Sequence, residues 1–450
     1  MRKTKLTAAL AAIALMAVGA FFSYRHYMAP TRILVVNALR TQQADIVTSN
    51  DSRHIKVKCV EAEQMEDLAD YDAVVLYGRR LSLTDSQLAE LRERARKGLV
   101  VFTKQVKSSS FTENHNIEPA DRALLQEFFE NDSRQNFRNG LRCLRHIATP
   151  YKWGDQDYEQ PVDKLNNIFY HRAYGHYFDT PQQLTDYLRK NHLYHEGGQN
   201  IALISGITFP TEGNREHVDT LISLLTERGF NVFPFAAVGK KRAAMLRALK
   251  PDAVVYMPMG RLGNDSLLQW VHQNNIALFC PFPVAMTHKE WMDKANMLTS
   301  GTKNSRIVIP EIDGATAPFC IATQNPDKNG YYRFTAEVDR CLMLVDHIER
   351  TLALRTKNNR DKRVAIGYFK RPGKDALLAS GMEVIPSLYN FLKRLQQEGY
   401  NVNGLPASLA EFARQVKTEG IVLGSYAKGA QQEYMRKGHP QWIRAAQYEQ

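Results

Sequence analysis

A chain of 450 residues, 44% hydrophobic and 24% charged, has room for about three globular domains with real cores, which excludes a disordered or fibrous protein. Its net charge of +12, from 59 basic and 47 acidic residues, suits anionic ligands or an anionic membrane surface. No long Lys/Arg run accompanies that excess, so nucleic acid is not an expected partner.

Arg2, Lys3 and Lys5 precede an uncharged stretch from Leu6 to Tyr24, just long enough to span a bilayer as a helix. The basic flank predicts that residues 1–28 form an N-terminal transmembrane anchor in the inner membrane, with the bulk of the chain facing the periplasm. Val18-Gly19-Ala20 also resembles a cleavage site, so a removed signal peptide is the competing reading. Cys59, Cys143, Cys280, Cys320 and Cys341 show no C-x-x-C or metal-ligand spacing, and a buried, inert thiol is expected for Cys280.

One strand–loop–helix unit begins three times, at Arg32-Ile-Leu-Val-Val, Asn200-Ile-Ala-Leu-Ile-Ser and Lys362-Arg-Val-Ala-Ile-Gly. The helices of the later copies end almost alike, as Leu225-Thr-Glu-Arg-Gly-Phe-Asn-Val and Leu395-Gln-Gln-Glu-Gly-Tyr-Asn-Val. Strands alternating with helices of this length predict an α/β fold of repeated, doubly wound parallel-sheet units. The first unit covers 29–118, with strands at Ile33–Val36, Asp70–Tyr77 and Leu99–Phe102 and a helix opened by the capping Thr84. Residues 119–198 read as a helical connector without strands, rich in Tyr, His and Arg. The second unit, 199–330, carries strands near Ile201–Ser205, Val232–Phe235, Ala253–Met257 and Ile276–Phe279. A helix and charged hinge (331–361) lead into a third unit (362–450), which stops with too few strands to close.

Ligands of open parallel sheets gather outside the carboxyl ends of the strands. In the second unit those loops carry Glu212, Arg261, Asp265, His288 and Glu290; capping of a helix is the alternative role for Asp265. The third unit has the basic loop Phe369-Lys370-Arg371-Pro-Gly-Lys374, whose cations suit ligand carboxylates or simply solvent. It is not a phosphate loop, because five residues rather than four separate Gly367 from Gly373 and Asp375 stands where a hydroxyl is needed. No G-x-G-x-x-G follows any strand, so no nucleotide site is expected. Tyr170-His171-Arg-Ala-Tyr174-Gly-His176-Tyr177 mixes imidazoles, phenols and a guanidinium, a set suited to a flat macrocycle, or equally to a structural surface. No histidine belongs to a strong metal-binding pattern, and none is assigned to a metal.

Two stretches go beyond a generic α/β chain: Cys280-Pro-Phe-Pro-Val through Pro310-Glu311-Ile-Asp313-Gly314, and Lys362 through Gly399-Tyr-Asn-Val-Asn-Gly-Leu-Pro406. Both resemble the large subunit of tetrapyrrole metal chelatases, that is, cobaltochelatase and the porphyrin-binding magnesium chelatase subunit. Tyr170-His171 is similar to a further family element, although Arg172 replaces the expected Pro. The resemblance covers about residues 165–450 and implies the N-terminal part of a much larger protein. It further implies a porphyrin or corrin substrate, haem included, and a divalent metal ion inserted or removed. Combined with the anchor, it points to an outward-facing, haem-uptake branch with other chelatase or uptake subunits as partners. The alternative is a non-catalytic, anchored haem- or corrin-binding module. On this reading Glu212 and Glu311 are the acid/base candidates, His171, His176, Arg261 and His288 contact the macrocycle, and Lys370 and Arg371 meet its propionates.

Overall fold

The computed structural model describes residues 16–20, 22–24, 26–105, 110–163, 168–173, 176–205, 214–237, 239–257, 259–293, 298–367, 381–419, 432, 435–436 and 443–448. The chain divides into two compact units, Met1–Glu349 and Arg350–Gln450.

Four parallel strands open the larger unit: β1 (Thr31–Val36), β2 (Ile55–Val60), β3 (Ala73–Tyr77) and β4 (Val100–Lys104), in the order β2-β1-β3-β4. Consecutive residues of β1 are buried in two different cores, which is why this strand reads as a continuous apolar run. Ile33 and Val35 face one core with Ile46 of α1 (Arg40–Ser49), while Leu34 and Val36 face another with Leu91 and Ala95 of α2 (Asp85–Arg96). Thr84 caps α2 as expected, its hydroxyl accepting from the Gln87 amide at 3.3 Å. Helices α3 (Pro119–Glu130) and α4 (Arg134–Ala148) bring Leu125, Phe128, Phe129, Phe137 and Leu141 into the same core as Ile33. They are therefore part of the first unit's packing rather than a connector.

The expected strand-free character of 119–198 does not hold either. β5 (Ile168–Tyr170) and β6 (Tyr177–Phe178) form a hairpin on the edge of the second sheet, whose other strands are β7 (Asn200–Ile204), β8 (Asn231–Ala236), β9 (Ala253–Tyr256) and β10 (Ala277–Phe279). The order is β10-β9-β7-β8-β5-β6; β7 to β10 are parallel, and β5 runs antiparallel to β8. Short aromatic strands hide among polar residues here, and Phe169 packs at a tilt against Phe235 with ring centres 5.2 Å apart. Helices α5 (Pro181–Lys190), α6 (Glu216–Glu227), α7 (Gly239–Leu249) and α8 (Asp265–Gln273) flank the sheet.

A third, unanticipated sheet joins β11 (Phe282–Pro283), β12 (Cys320–Pro326) and β13 (Tyr332–Ala336). It ties the two α/β sheets together. The Tyr331 hydroxyl accepts from the Cys59 amide at 3.2 Å, Arg333 donates to Thr48 Oγ1 at 2.8 Å, and the Phe334 amide donates to Asn214 Oδ1 at 2.7 Å.

In the smaller unit, helices Val384–Gln397 and Leu409–Glu419 pack through Tyr389 and Phe412, whose ring centres lie 5.6 Å apart. The strand expected at Lys362 is absent: 362–367 has no regular structure and Val364 and Ile366 are exposed, because no neighbouring strand supplies a ladder among the described residues. Lys370 and Arg371 lie outside the described residues, as do Glu212 and most of the apolar N-terminal stretch. Among the described residues no helix is long and apolar enough to cross a membrane. All five cysteines are buried and unpaired, and burial raises each thiol pKa, to about 12 for Cys143, Cys280 and Cys341.

Candidate functional site: a cleft between two sheet edges

The carboxyl edge of the second sheet meets the first α/β unit around a cavity of 260 Å³. The first unit contributes Gln42 and Asp45 from α1 and Asp132 ahead of α4; the second contributes Asn214 and His217 at the start of α6, with Met257 beyond β9. Arg306 completes the wall from a π-turn, Asn304–Val308, set within the helical run 300–312. Such turns re-aim side chains without ending a helix.

Several groups in this wall are spoken for. Gln42 donates to Asp132 at 2.9 Å and Lys104 approaches the same carboxylate at 3.4 Å. Others are not. His217 is 2% exposed, packs against Phe334 with ring centres 5.2 Å apart, and its Nδ1 has no partner among the described residues. Burial pulls its pKa down to about 4, so the ring is neutral at physiological pH. Asn214 accepts the Phe334 amide through Oδ1, yet its Nδ2 is buried without an acceptor among the described residues. Arg306 is half-buried, makes no ion pair among the described residues, and has its pKa lowered by that burial. Each unmet buried group costs about 1–3 kcal/mol, which a ligand able to pair with it would recover.

The residues singled out by sequence do not converge on one point. Arg261 follows β9 and clamps Asp313 (3.0 Å) and Asp265 (2.8 Å). Asp265 begins α8, but the capping oxygen is that of Asn264, which accepts the Leu267 amide at 3.1 Å. In the Pro-Glu-x-Asp-Gly element Asp313 is thus the buried carboxylate, whereas Glu311 is exposed on Ile309–Ile312. Gly314 ends that turn at φ 89°, donating to the Glu311 carbonyl at 3.0 Å; a Cβ there would stand 3.0 Å from His272. His288 Nδ1 lies 2.9 Å from Glu337, which also accepts from Thr323 at 2.6 Å, beside the third sheet.

His171 and His176 sit on the β5–β6 hairpin, both rings tilted against Tyr187 with centres 5.2 and 4.9 Å away. Burial, with smaller contributions from Arg172, His176 and Arg215, lowers the His171 pKa to about 4. His171 borders a groove of 310 Å³ with His192 and His195, but no cluster of His, Cys, Asp or Glu among the described residues could hold a metal ion. Tyr170 is core: its hydroxyl bonds Ser205 at 3.1 Å and Arg215 covers its ring at 5.2 Å. Asn214 and Arg306 were missed because no motif marks an unsatisfied amide or a π-turn.

The chain is an α/β protein of doubly wound parallel sheets, with a cleft at the strand-end edge where open sheets of this kind receive ligands. The chain belongs to the CobN/Magnesium Chelatase family, whose model matches residues 126–450. The magnesium-chelatase H protein of Chlorobaculum parvum is 27% identical over 292 residues, 60% of this chain and 22% of that protein. The aerobic cobaltochelatase subunit CobN of Pseudomonas aeruginosa is 28% identical over 134 residues, 28% of this chain and 11% of that one. The catalytic subunit of cobaltochelatase from Mycobacterium tuberculosis has a similar fold, with a TM-score of 0.60 at 16% identity over 87% of this chain and 33% of its own. The chain thus spans a third or less of the length of each of these relatives.

Proposed function

We propose that this chain is a tetrapyrrole-binding part of a metal chelatase large subunit, taking one edge of a porphyrin or corrin into the cleft around His217. What carries the reading is that His217 Nδ1 and Asn214 Nδ2 are left unpartnered among the described residues against one cavity in a member of this family. At 260 Å³ the cavity is smaller than the roughly 300–1,000 Å³ of pockets that engulf a drug-sized ligand, so it suits a ring edge or side arm rather than a whole macrocycle. Arg306 supplies a cation for a propionate, and Asn214 donors for its second oxygen. Inserting a divalent metal ion into a free-base porphyrin releases two pyrrole protons, and removing it takes two up. Glu212 and Glu311 are the acid/base candidates for those protons, while the buried His217, kept neutral until about pH 4, serves as a hydrogen-bond partner. The metal ion and macrocycle are substrates here.

Haem iron removal by an inner-membrane-anchored, periplasm-facing chain, working with other chelatase or uptake subunits, is the finer form of the proposal. It is supported by the basic flank and uncharged stretch Leu6–Tyr24. The alternative is a binding module without turnover of its own, for which the unmet hydrogen-bonding groups of the cleft among the described residues would suffice.

Titrating the full chain with haemin, a free-base porphyrin and a corrin, while following the Soret band and released iron, tests both. Micromolar binding that weakens about tenfold, or 1.4 kcal/mol, in His217→Ala and Asn214→Ala is the expected result. Iron release supports the chelatase, and stable binding without release supports the module. Failure of every macrocycle to bind would overturn the tetrapyrrole reading.

A further inference from the structure

The four-stranded sheet carries a crevice of its own, built from residues ahead of the stretch that the family model matches. We propose that this crevice, at the carboxyl ends of β1 and β3, binds a compact polyanion through phosphate or carboxylate groups.

Topology provides the place. From β1 the chain moves outward to β2, then returns past β1 to β3, so the strand order reverses between them. The loop leaving β1 feeds α1 on one face, and the loop leaving β3 feeds α2 on the other. Diverging loops leave a gap at such a switch point, which is where ligands of open α/β sheets bind. A cavity of 610 Å³ lies there, lined by Asn37 and Ala38 after β1 and by Tyr77, Gly78, Arg79 and Arg80 at the end of β3.

Its walls are preformed. Asn37, held at φ 62°, donates through its side-chain amide to the carbonyls of Tyr77 (2.9 Å) and Arg79 (3.1 Å), stitching the two loops together. Arg80 also adopts a positive φ, 55°, a conformation that costs a non-glycine residue energy and persists only where the surroundings hold it.

The chemistry of the lining selects the ligand. Arg40, Arg79, Arg80 and Lys104 face the crevice against the single acid Glu61, whose carboxylate already accepts from Gln43 at 3.1 Å. Lys104 is partly neutralised by Asp132, but Arg40, Arg79 and Arg80 form no ion pair among the described residues. Arg40 is instead placed over the Tyr332 ring, 5.0 Å from its centre, a contact that holds the guanidinium without neutralising it. At the floor, Tyr77 is 6% exposed and its hydroxyl has no partner among the described residues. Burial, then Asp132 and Cys59, push that phenol far above its ordinary pKa, so it stays a neutral donor. Guanidinium forks and a phenol that donates its proton are matched by an anion with several oxygens. No glycine-rich loop is present, so recognition is by side chains.

Calorimetry on the full chain at low salt, with pyrophosphate and with tricarballylate (a tricarboxylate) as probes, tests the site. At least one probe should bind, with affinity falling tenfold or more in the double variant Arg79→Ala/Arg80→Ala and severalfold in Tyr77→Phe. The latter keeps the buried ring and guards against a folding artefact. Arg247→Ala, which removes a cation lying over Trp270 elsewhere on the surface, should leave affinity unchanged. Preference for pyrophosphate assigns phosphate groups, and preference for tricarballylate assigns carboxylates. His217→Ala should not alter either affinity, which separates this site from the tetrapyrrole reading. Absence of binding by both probes, or equal binding by the wild type, Tyr77→Phe and the double variant, overturns the proposal.

Discussion

At the strand ends of the second sheet, Arg261 is gripped by Asp265 and Asp313, and His288 by Glu337, which Thr323 holds in turn. At the strand ends of the first sheet, Arg40, Arg79 and Arg80 have no such partners among the described residues, and neither does the buried Tyr77 hydroxyl. Both sheets are doubly wound, yet the charged loop residues that the sequence points to are paired on the second sheet, while those of the first are not paired among the described residues. A charged residue on a βα loop is therefore a weak pointer to function until its partners are known. Salt-bridged groups at partly exposed positions contribute little and are satisfied without a ligand. Buried or clustered groups left unmet are the ones a ligand can stabilise.

The comparison would break if the first unit were simply the looser of the two. Arg145 argues otherwise. It is fully buried and donates to the carbonyls of Gly154 (2.8 Å), His54 (2.7 Å) and Trp153 (2.6 Å) and to the Thr31 hydroxyl (2.7 Å). Thr31 Oγ1 lies 2.7 Å from Thr149 Oγ1, so β1 and the end of α4 are joined through one guanidinium. Arg145→Met keeps much of the volume but strands these acceptors, and should cost about 3 kcal/mol or more in a denaturant melt. Hydrogen exchange should show the lost protection in β1–β4 and not in β7–β10. A loss below about 1 kcal/mol, or one shared by both sheets, would mean that the first unit is not independently well packed.

Lowering the pH sharpens the comparison from the other side. In the unfolded chain His217 titrates near its ordinary 6.5, whereas the folded protein refuses the proton until about 4. Between those values the unfolded state binds more protons, so stability falls as pH drops, by up to about 3 kcal/mol at the lower end. His171, also held near 4 chiefly by burial, acts in the same direction. Urea melts at pH 7, 5 and 4 should show the decline, and His217→Phe should remove a large part of it. An unchanged slope in that variant would mean that His217 is reached by water and is not a neutral cleft residue.

Much of the fold was readable because buried parallel strands announce themselves. Ile33–Val36, Ile201–Ile204 and Ala253–Tyr256 are apolar runs between turn residues, and Thr84 marked its helix by the capping rule. The hairpin of β5 and β6 and the bridging β12–β13 pair were not. Their strands are short or half-polar, and their stability comes from partners distant in sequence, such as Phe235 for Phe169 and Asn214 for Phe334. The site was less readable still. Residue type and loop position picked out Arg261 and His288, which the fold neutralises, while Asn214, Arg306 and Tyr77 matter through contacts they do not make. An unmet hydrogen bond has no sequence signature.

The smallest expected effect sets two carboxylates of one motif against each other. Asp313 is buried and clamped by Arg261; Glu311, two residues earlier, is exposed and its side chain has no partner among the described residues. Asp313→Asn weakens a charge-assisted pair and should cost about 1–2 kcal/mol, with little consequence for any ligand. Glu311→Gln should leave stability within about 0.5 kcal/mol, because water already solvates the carboxylate. Those melts fix the structural baseline against which metal exchange can be read. If Glu311→Gln slows iron release or metal insertion while the melt is unmoved, Glu311 acts in proton transfer and an exposed edge of the second sheet joins the site. If exchange and stability are both untouched, the motif serves the Arg261 clamp alone, and Glu212 is left as the acid/base candidate.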